Sequence, residues 1–228
     1  MRQRVTALVL ALIMTATAAF TYNWEGPAAR IKKSVQRVDI PVHDVFGHEG
    51  HGACTAFSIN DFRDYFLTAA HCYGEKMLVG GHEARMVYLN RKADLMVLVV
   101  PESGEVPEVR PAKEHECKDG SINATCQGNE VAAMGYGFGV MFPILKTGNV
   151  GAVDVDMSDW GFAQGERMLL SGFSYIPGMS GGPVFDRDGR IVGIVQWGDN
   201  DNYVGGGRTL KGIMALTSQF WGVNDNKR

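Results

Sequence analysis

The chain has 228 residues, of which 45% are apolar and 21% charged, and it carries a net charge of −3. That is room for one large domain or two small ones sharing an interface. With no long run of either sign, nothing favours nucleic acid or an anionic membrane surface as partner, and the 29 glycines suit an all-β protein with many tight turns.

The first 18 residues read as an export signal: Arg2 and Arg4 form the positive segment, Val5 to Met14 the apolar one, and Ala16-Thr17-Ala18 a small-residue cleavage site. The apolar stretch falls short of the ~20 residues a spanning helix needs. An uncleaved anchor or a buried first helix is the alternative. Cleavage would start the mature chain near Ala19, in a secreted or periplasmic compartment without a stable membrane span. Residues 19–37 read as a mobile extension.

Short apolar runs separated by turn signals follow, at strand lengths. They are Val38-Asp39-Ile40, Cys54 to Ile59, Tyr65 to Thr68, Lys76 to Val79, Met86 to Leu89 and Leu95 to Val100. Pro101 to Asn129 is polar and reads as a long connection. A second series runs through Val131 to Met134, Gly148 to Asp156, Arg167 to Leu170, Pro183 to Phe185 and Ile191 to Val195. Asp186-Arg187-Asp188-Gly189 is a hairpin turn. Apolar residues at 213, 216, 217 and 220 approach helical period and predict a short C-terminal helix. The domain division is a first half over 38–116 and a second over 117–228, together one unit.

Four cysteines allow three pairings, and spacing favours Cys54–Cys72 with Cys117–Cys126. No C-x-x-C is present, which argues against a zinc ribbon. His48-Glu49-Gly50-His51 does not have the helical H-E-x-x-H spacing of zinc peptidases and reads as a solvated hairpin tip, so no metal is assigned.

Chemistry concentrates in three places. Gly178-Met179-Ser180-Gly181-Gly182-Pro183 sets a serine on a glycine-flanked turn, where the amides of Gly178 and Ser180 could point together as an oxyanion hole. The string also fits the Gly-x-Ser-x-Gly elbow of α/β-hydrolases, but those place the histidine after the serine, and every histidine here precedes Ser180. His71 closes an apolar strand in Thr68-Ala69-Ala70-His71-Cys72. Asp94 heads the apolar run Leu95 to Val100, where a carboxylate needs a partner. It could cap the strand or pair with Arg91 or Lys92, but His71 as partner accounts for both residues.

The order His71, Asp94, Ser180 resembles that of the chymotrypsin- and trypsin-like serine peptidases. Leu67 to Cys72 looks like that family's histidine motif, Met134-Gly135-Tyr136-Gly137 like the turn opening its second barrel, and Gly193 to Gly198 like the strand lining its cleft. The resemblance covers roughly residues 38 to 220. It implies an all-β fold of two antiparallel six-stranded β-barrels, chymotrypsin-like, with the predicted helix at the C-terminus. It also implies a serine endopeptidase needing no cofactor, a monomer acting on polypeptide substrates.

Carried over, His71 is the base, Asp94 its orienter and Ser180 the nucleophile, while Gly178 and Ser180 supply the oxyanion donors. Ser174, Gln196, Trp197 and Gly198 contact substrate. A non-catalytic binding protein on the same fold is the alternative.

The departures are specific. Met179 replaces the aspartate that precedes the serine in trypsin-type enzymes, and no Ile-Val-Gly-Gly start is present, so that activation switch is absent. Gln196 replaces a serine that would support Asp94. A neutral pocket base at Ser174 with Gly198 on one wall suits a large apolar side chain. Asp199 and Asp201 could instead attract a basic one, and a glutamate preference is disfavoured because Val195 stands where glutamate-specific relatives place a histidine.

Overall fold

The computed structural model describes residues 23–43, 49–60, 64–155, 166–199 and 203–221. The export signal, His48 and Asp201 lie outside them. A helix, α1 (Glu25–Lys32), leads into six strands: β1 (Val35–His43), β2 (Glu49–Asn60), β3 (Tyr65–Thr68), β4 (Met77–Val79), β5 (His82–Asn90) and β6 (Leu95–Val99). They close into an antiparallel barrel in the order β1-β2-β3-β6-β5-β4.

Three two-residue strands occupy the connection, β7 (Arg110–Pro111), β8 (His115–Glu116) and β9 (Ile122–Asn123). The second half contributes β10 (Glu130–Gly135), β11 (Ile144–Val153), β12 (Arg167–Ser171), β13 (Pro183–Phe185), β14 (Arg190–Asp199) and β15 (Val204–Thr209). These run β13-β10-β11-β12-β15-β14, and pairing of β13 with β14 closes the second six-stranded barrel, to which β7 adds in parallel. Helix α2 (Leu210–Thr217) ends the fold, the Thr209 hydroxyl capping its N-terminus through the Gly212 amide. No helix among the described residues is long and apolar enough to cross a membrane.

Alternation along the strands sorts the apolar residues into three clusters. Val38, Phe66, Met96 and Leu98 fill the first barrel. Val131, Ala133, Leu170, Val184 and Val192 fill the second. Phe57, Leu67, Leu95 and Val97 of the first meet Ala132, Met134, Phe185 and Ile194 of the second in a shared interface.

Two features differ from the sequence expectations. The extension is partly ordered, because Trp24 and Ile31 are buried against the shared core. The Trp24 ring meets Phe185 edge-on at 5.9 Å, and its Nε1 donates to Glu130. Two apolar anchors in a charged segment are invisible as periodicity but suffice once a surface receives them. Strand β15 was not anticipated, since Val204-Gly205-Gly206-Gly207 has no apolar alternation. Its glycines are dictated by neighbours: a Cβ on Gly206 would strike the Trp197 ring, and one on Gly207 the Ile194 carbonyl.

Candidate active site

Strand β3 ends at Thr68 and the chain turns through one 3-10 turn, Ala70–Cys72, which lifts His71 to the barrel rim. The Cys54–Cys72 disulfide, with Cα atoms 6.1 Å apart, ties that turn to β2. The second bridge is Cys117–Cys126. Asp94 reaches His71 from the turn before β6, where its own φ of 53° lies in the left-handed region that aspartate tolerates. The His71 amide donates to Asp94 Oδ1 at 2.9 Å, and His71 Nδ1 lies 2.9 Å from Oδ2. The imidazole side chain is 47% exposed while the carboxylate is 13% exposed, so the ring is open to solvent and its partner is shielded behind it. Donation from Nδ1–H leaves Nε2 with its lone pair toward solvent.

Asp94 is supported from the second barrel by Gln196, which the sequence singled out in place of the usual serine, and by Arg167 and Arg208, which it did not single out. Gln196 Nε2 donates to the backbone carbonyls of Ala93 (2.9 Å) and Asp94 (2.6 Å), and Gln196 Oε1 accepts from Arg167 Nη1 at 2.9 Å. Arg208 Nε donates to Ala93 O at 3.3 Å. The residue that replaced the usual serine thus carries the support, with its side chain buried. Arg167 is wholly buried and sits opposite Arg208 across the β12–β15 ladder. Burial first, and Arg208 second, lower the Arg167 guanidinium to about 10, against the opposing pull of Asp94. Burial likewise lowers Arg208, offset by Glu166 and then Asp94. Two like charges facing each other are unfavourable by themselves; the Asp94 carboxylate supplies part of their countercharge. Arg167 heads an apolar strand as Asp94 does, and that parallel was the available signal.

Ser180 sits at the crossing of the barrels. Its carbonyl accepts from the Thr55 amide of β2 at 2.9 Å. The fully buried Thr55 hydroxyl donates to Gly178 O at 2.8 Å and accepts from the Tyr136 amide, fastening the serine turn to the first barrel. Gly178 and Gly181 have φ of 100° and 83°. A Cβ at Gly181 would collide with Thr55 O and the Thr68 hydroxyl, so glycine is required there twice over. The amides of Met179, Gly181 and Gly182 bond to Ile176, Val195 and Met179 carbonyls. Those of Gly178 and Ser180 are bonded to no described residue, as an oxyanion hole needs. Met179 packs in the second core with Ala133, Phe173 and Val195, an apolar anchor at the position noted above as departing from the trypsin-type aspartate.

The serine hydroxyl has an unexpected partner. Tyr175 OH hydrogen-bonds Ser180 Oγ, and among the described residues no hydrogen bond joins Ser180 to His71. Burial raises the Tyr175 phenol above its ordinary range, against the lowering effect of Ser180. Ser174, Gly206, Trp197 and Tyr175 do gather around one space, but Tyr175 lies on Gly198 and Trp197 on Gly206. The void that remains is about 10 Å³, at the lower limit for one water.

The family model for a trypsin-like peptidase domain matches residues 54–194. No curated protein matches the chain by sequence. Among solved structures, the active form of the Rv3671c protease from M. tuberculosis superposes with a TM-score of 0.67 at 19% identity, over 85% of this chain and 83% of that one. The HtrA-type protease AlgW with a tripeptide gives 0.70 at 18% identity, over 87% of this chain and 64% of that one.

Proposed function

Because the chain belongs to the trypsin-like peptidase family and is a serine-type peptidase, we propose that it is an exported endopeptidase with Ser180 as nucleophile, His71 as base and Asp94 as orienter. One observation carries this reading: the His71–Asp94 pair stands at the rim of the first barrel, to which the Ser180 turn is fastened through Thr55. The hydroxyl of Ser180 first exchanges Tyr175 for His71 Nε2. Its oxygen then bonds to the scissile carbonyl carbon as its proton passes to His71. The carbonyl oxygen, now an anion, takes the amides of Gly178 and Ser180. Collapse breaks the C–N bond, and His71 protonates the leaving amine. Water, deprotonated by His71, releases the acyl group.

Trp197 and Gly198 of β14 supply backbone to an extended peptide, and Gln196 acts behind them through Asp94. Two disulfides and the signal-like first 18 residues support an extracytoplasmic site of action. The test is labelling with a fluorophosphonate followed by mapping the adduct. Modification at Ser180, with Ser180→Ala abolishing both labelling and peptide cleavage, is the expected result; cleavage surviving in Ser180→Ala overturns it. A non-catalytic reading rests on the Tyr175–Ser180 bond and the filled pocket, and a folded protein that neither labels nor cleaves would establish it.

A further inference from the structure

We propose that Lys146 sets the primary specificity of this site, selecting substrates with an acidic side chain, glutamate above all, on the N-terminal side of the scissile bond. The inference deepens the peptidase reading above and rests on it.

Lys146 lies in β11 directly opposite Ala133 of β10. Residues opposed in an antiparallel ladder project to the same face. Ala133 is fully buried and lines the same void as Ser174, Tyr175 and Met179. Ile144, two residues from Lys146 and on the same face, packs on the second barrel's core. Lys146 therefore aims its ammonium into the mouth of that barrel, where Nζ donates to Ser174 Oγ at 2.9 Å. Ser174 shares the void with Tyr175, Met179, Val195 and Trp197. A fixed cation thus stands behind the residue that reads as the pocket base.

Lys146 is half-buried, and its ammonium has no carboxylate partner among the described residues. One hydroxyl takes one of the ammonium's three donors, and an ammonium taken from water gains most from an anionic acceptor. A substrate carboxylate entering past Tyr175 meets both the Ser174 hydroxyl and the remaining Lys146 donors. An apolar side chain would leave that ammonium without an anion, and a basic one would be repelled. Asp199, the described candidate for attracting a basic side chain, is exposed at the far end of β14, opposite Val204. An acidic preference thus replaces the apolar one suggested by Ser174 and Gly198 alone, and Lys146 supplies the cation that the absence of a histidine at Val195 argued against.

The test compares quenched peptides identical except for Glu, Gln, Leu or Lys before the cleaved bond. A charge-assisted hydrogen bond of ordinary strength predicts kcat/KM for Glu about 10- to 100-fold above its uncharged isostere Gln. Lys146→Met should collapse that ratio toward one, and Lys146→Glu should turn the preference to Lys, a gain that misfolding cannot produce. A wild-type protein that labels at Ser180 yet prefers Leu or Lys, or a Glu preference that survives in Lys146→Met, overturns the inference and leaves the peptidase reading standing. Absence of both fluorophosphonate labelling and cleavage removes the peptidase reading and this inference with it.

Discussion

The hydroxyl of Ser180 is hydrogen-bonded to the hydroxyl of Tyr175, five residues earlier on the same turn. Tyr175 in turn rests on Gly198, so one side chain both engages the proposed nucleophile and covers the space beside it. Substrate must displace it. Tyr175→Phe keeps the ring and removes the bond, which is worth about 0.5–1.5 kcal/mol. Fluorophosphonate labelling of Ser180 should therefore accelerate about two- to tenfold. An unchanged or slower rate would mean that the phenol assists the serine rather than restraining it.

Gln196 couples Asp94 to Arg167 across the barrel interface. Gln196→Leu keeps the approximate volume but orphans the Asp94 carbonyl, leaves the Ala93 carbonyl to Arg208 alone and takes away an acceptor of a buried guanidinium. The expected cost is about 3 kcal/mol of unfolding free energy. Since Asp94 is proposed to act through His71, kcat should fall more than tenfold with KM little changed. A variant with normal kcat and a raised KM would place Gln196 with substrate instead.

Cys54–Cys72 closes a span of 18 residues beside His71, and Cys117–Cys126 one of 9. Chain-entropy arguments assign each about 3 kcal/mol, the longer loop slightly more. Cys54→Ser with Cys72→Ser should lower the melting temperature and abolish peptide cleavage, because the His71 turn loses its tie to β2. The same change at Cys117 and Cys126 should lower the melting temperature with cleavage retained. Equal losses of cleavage in both variants would contradict this assignment.

Glu130 holds α1 to the second barrel by accepting from Trp24 and Arg187. The Arg187 bond chiefly, and the Trp24 bond with it, keep its carboxyl below the ordinary value of 4.5. A carboxyl with a lowered folded pKa adds stability above its unfolded pKa and loses it as pH falls through the folded one. The wild-type protein should therefore melt above Glu130→Gln at neutral pH. That gap should close below about pH 4.5, the usual glutamate range. A gap that persists at lower pH would show that the carboxylate charge contributes nothing to the docking.

The strands legible beforehand were those with one apolar face or run, such as Tyr65–Thr68, Leu95–Val99 and Pro183–Phe185. Local alternation was enough for them because burial on a sheet face repeats every second residue. Strand β15 escaped because its positions are chosen by a ring and a carbonyl from β14, and glycine has no side chain to betray a face. Among site residues, His71, Asp94 and Ser180 could be named because each breaks a local pattern: a histidine ending a strand, an acid heading one, a serine among glycines. Tyr175, Thr55 and Arg208 break none.

The sequence by itself determined the two β-rich halves, favoured the cysteine pairing that the structure shows, and singled out the three residues proposed for catalysis. Each rests on short-range order or on the order of residues along the chain. Only the tertiary structure decided what surrounds them: Tyr175 on Ser180, Gln196 and two buried arginines behind Asp94, and Lys146 beneath Ser174. Those relationships join side chains from different strands and from both barrels. Their energies come from burial and from charges with few available partners, quantities that exist only after the chain has closed around them.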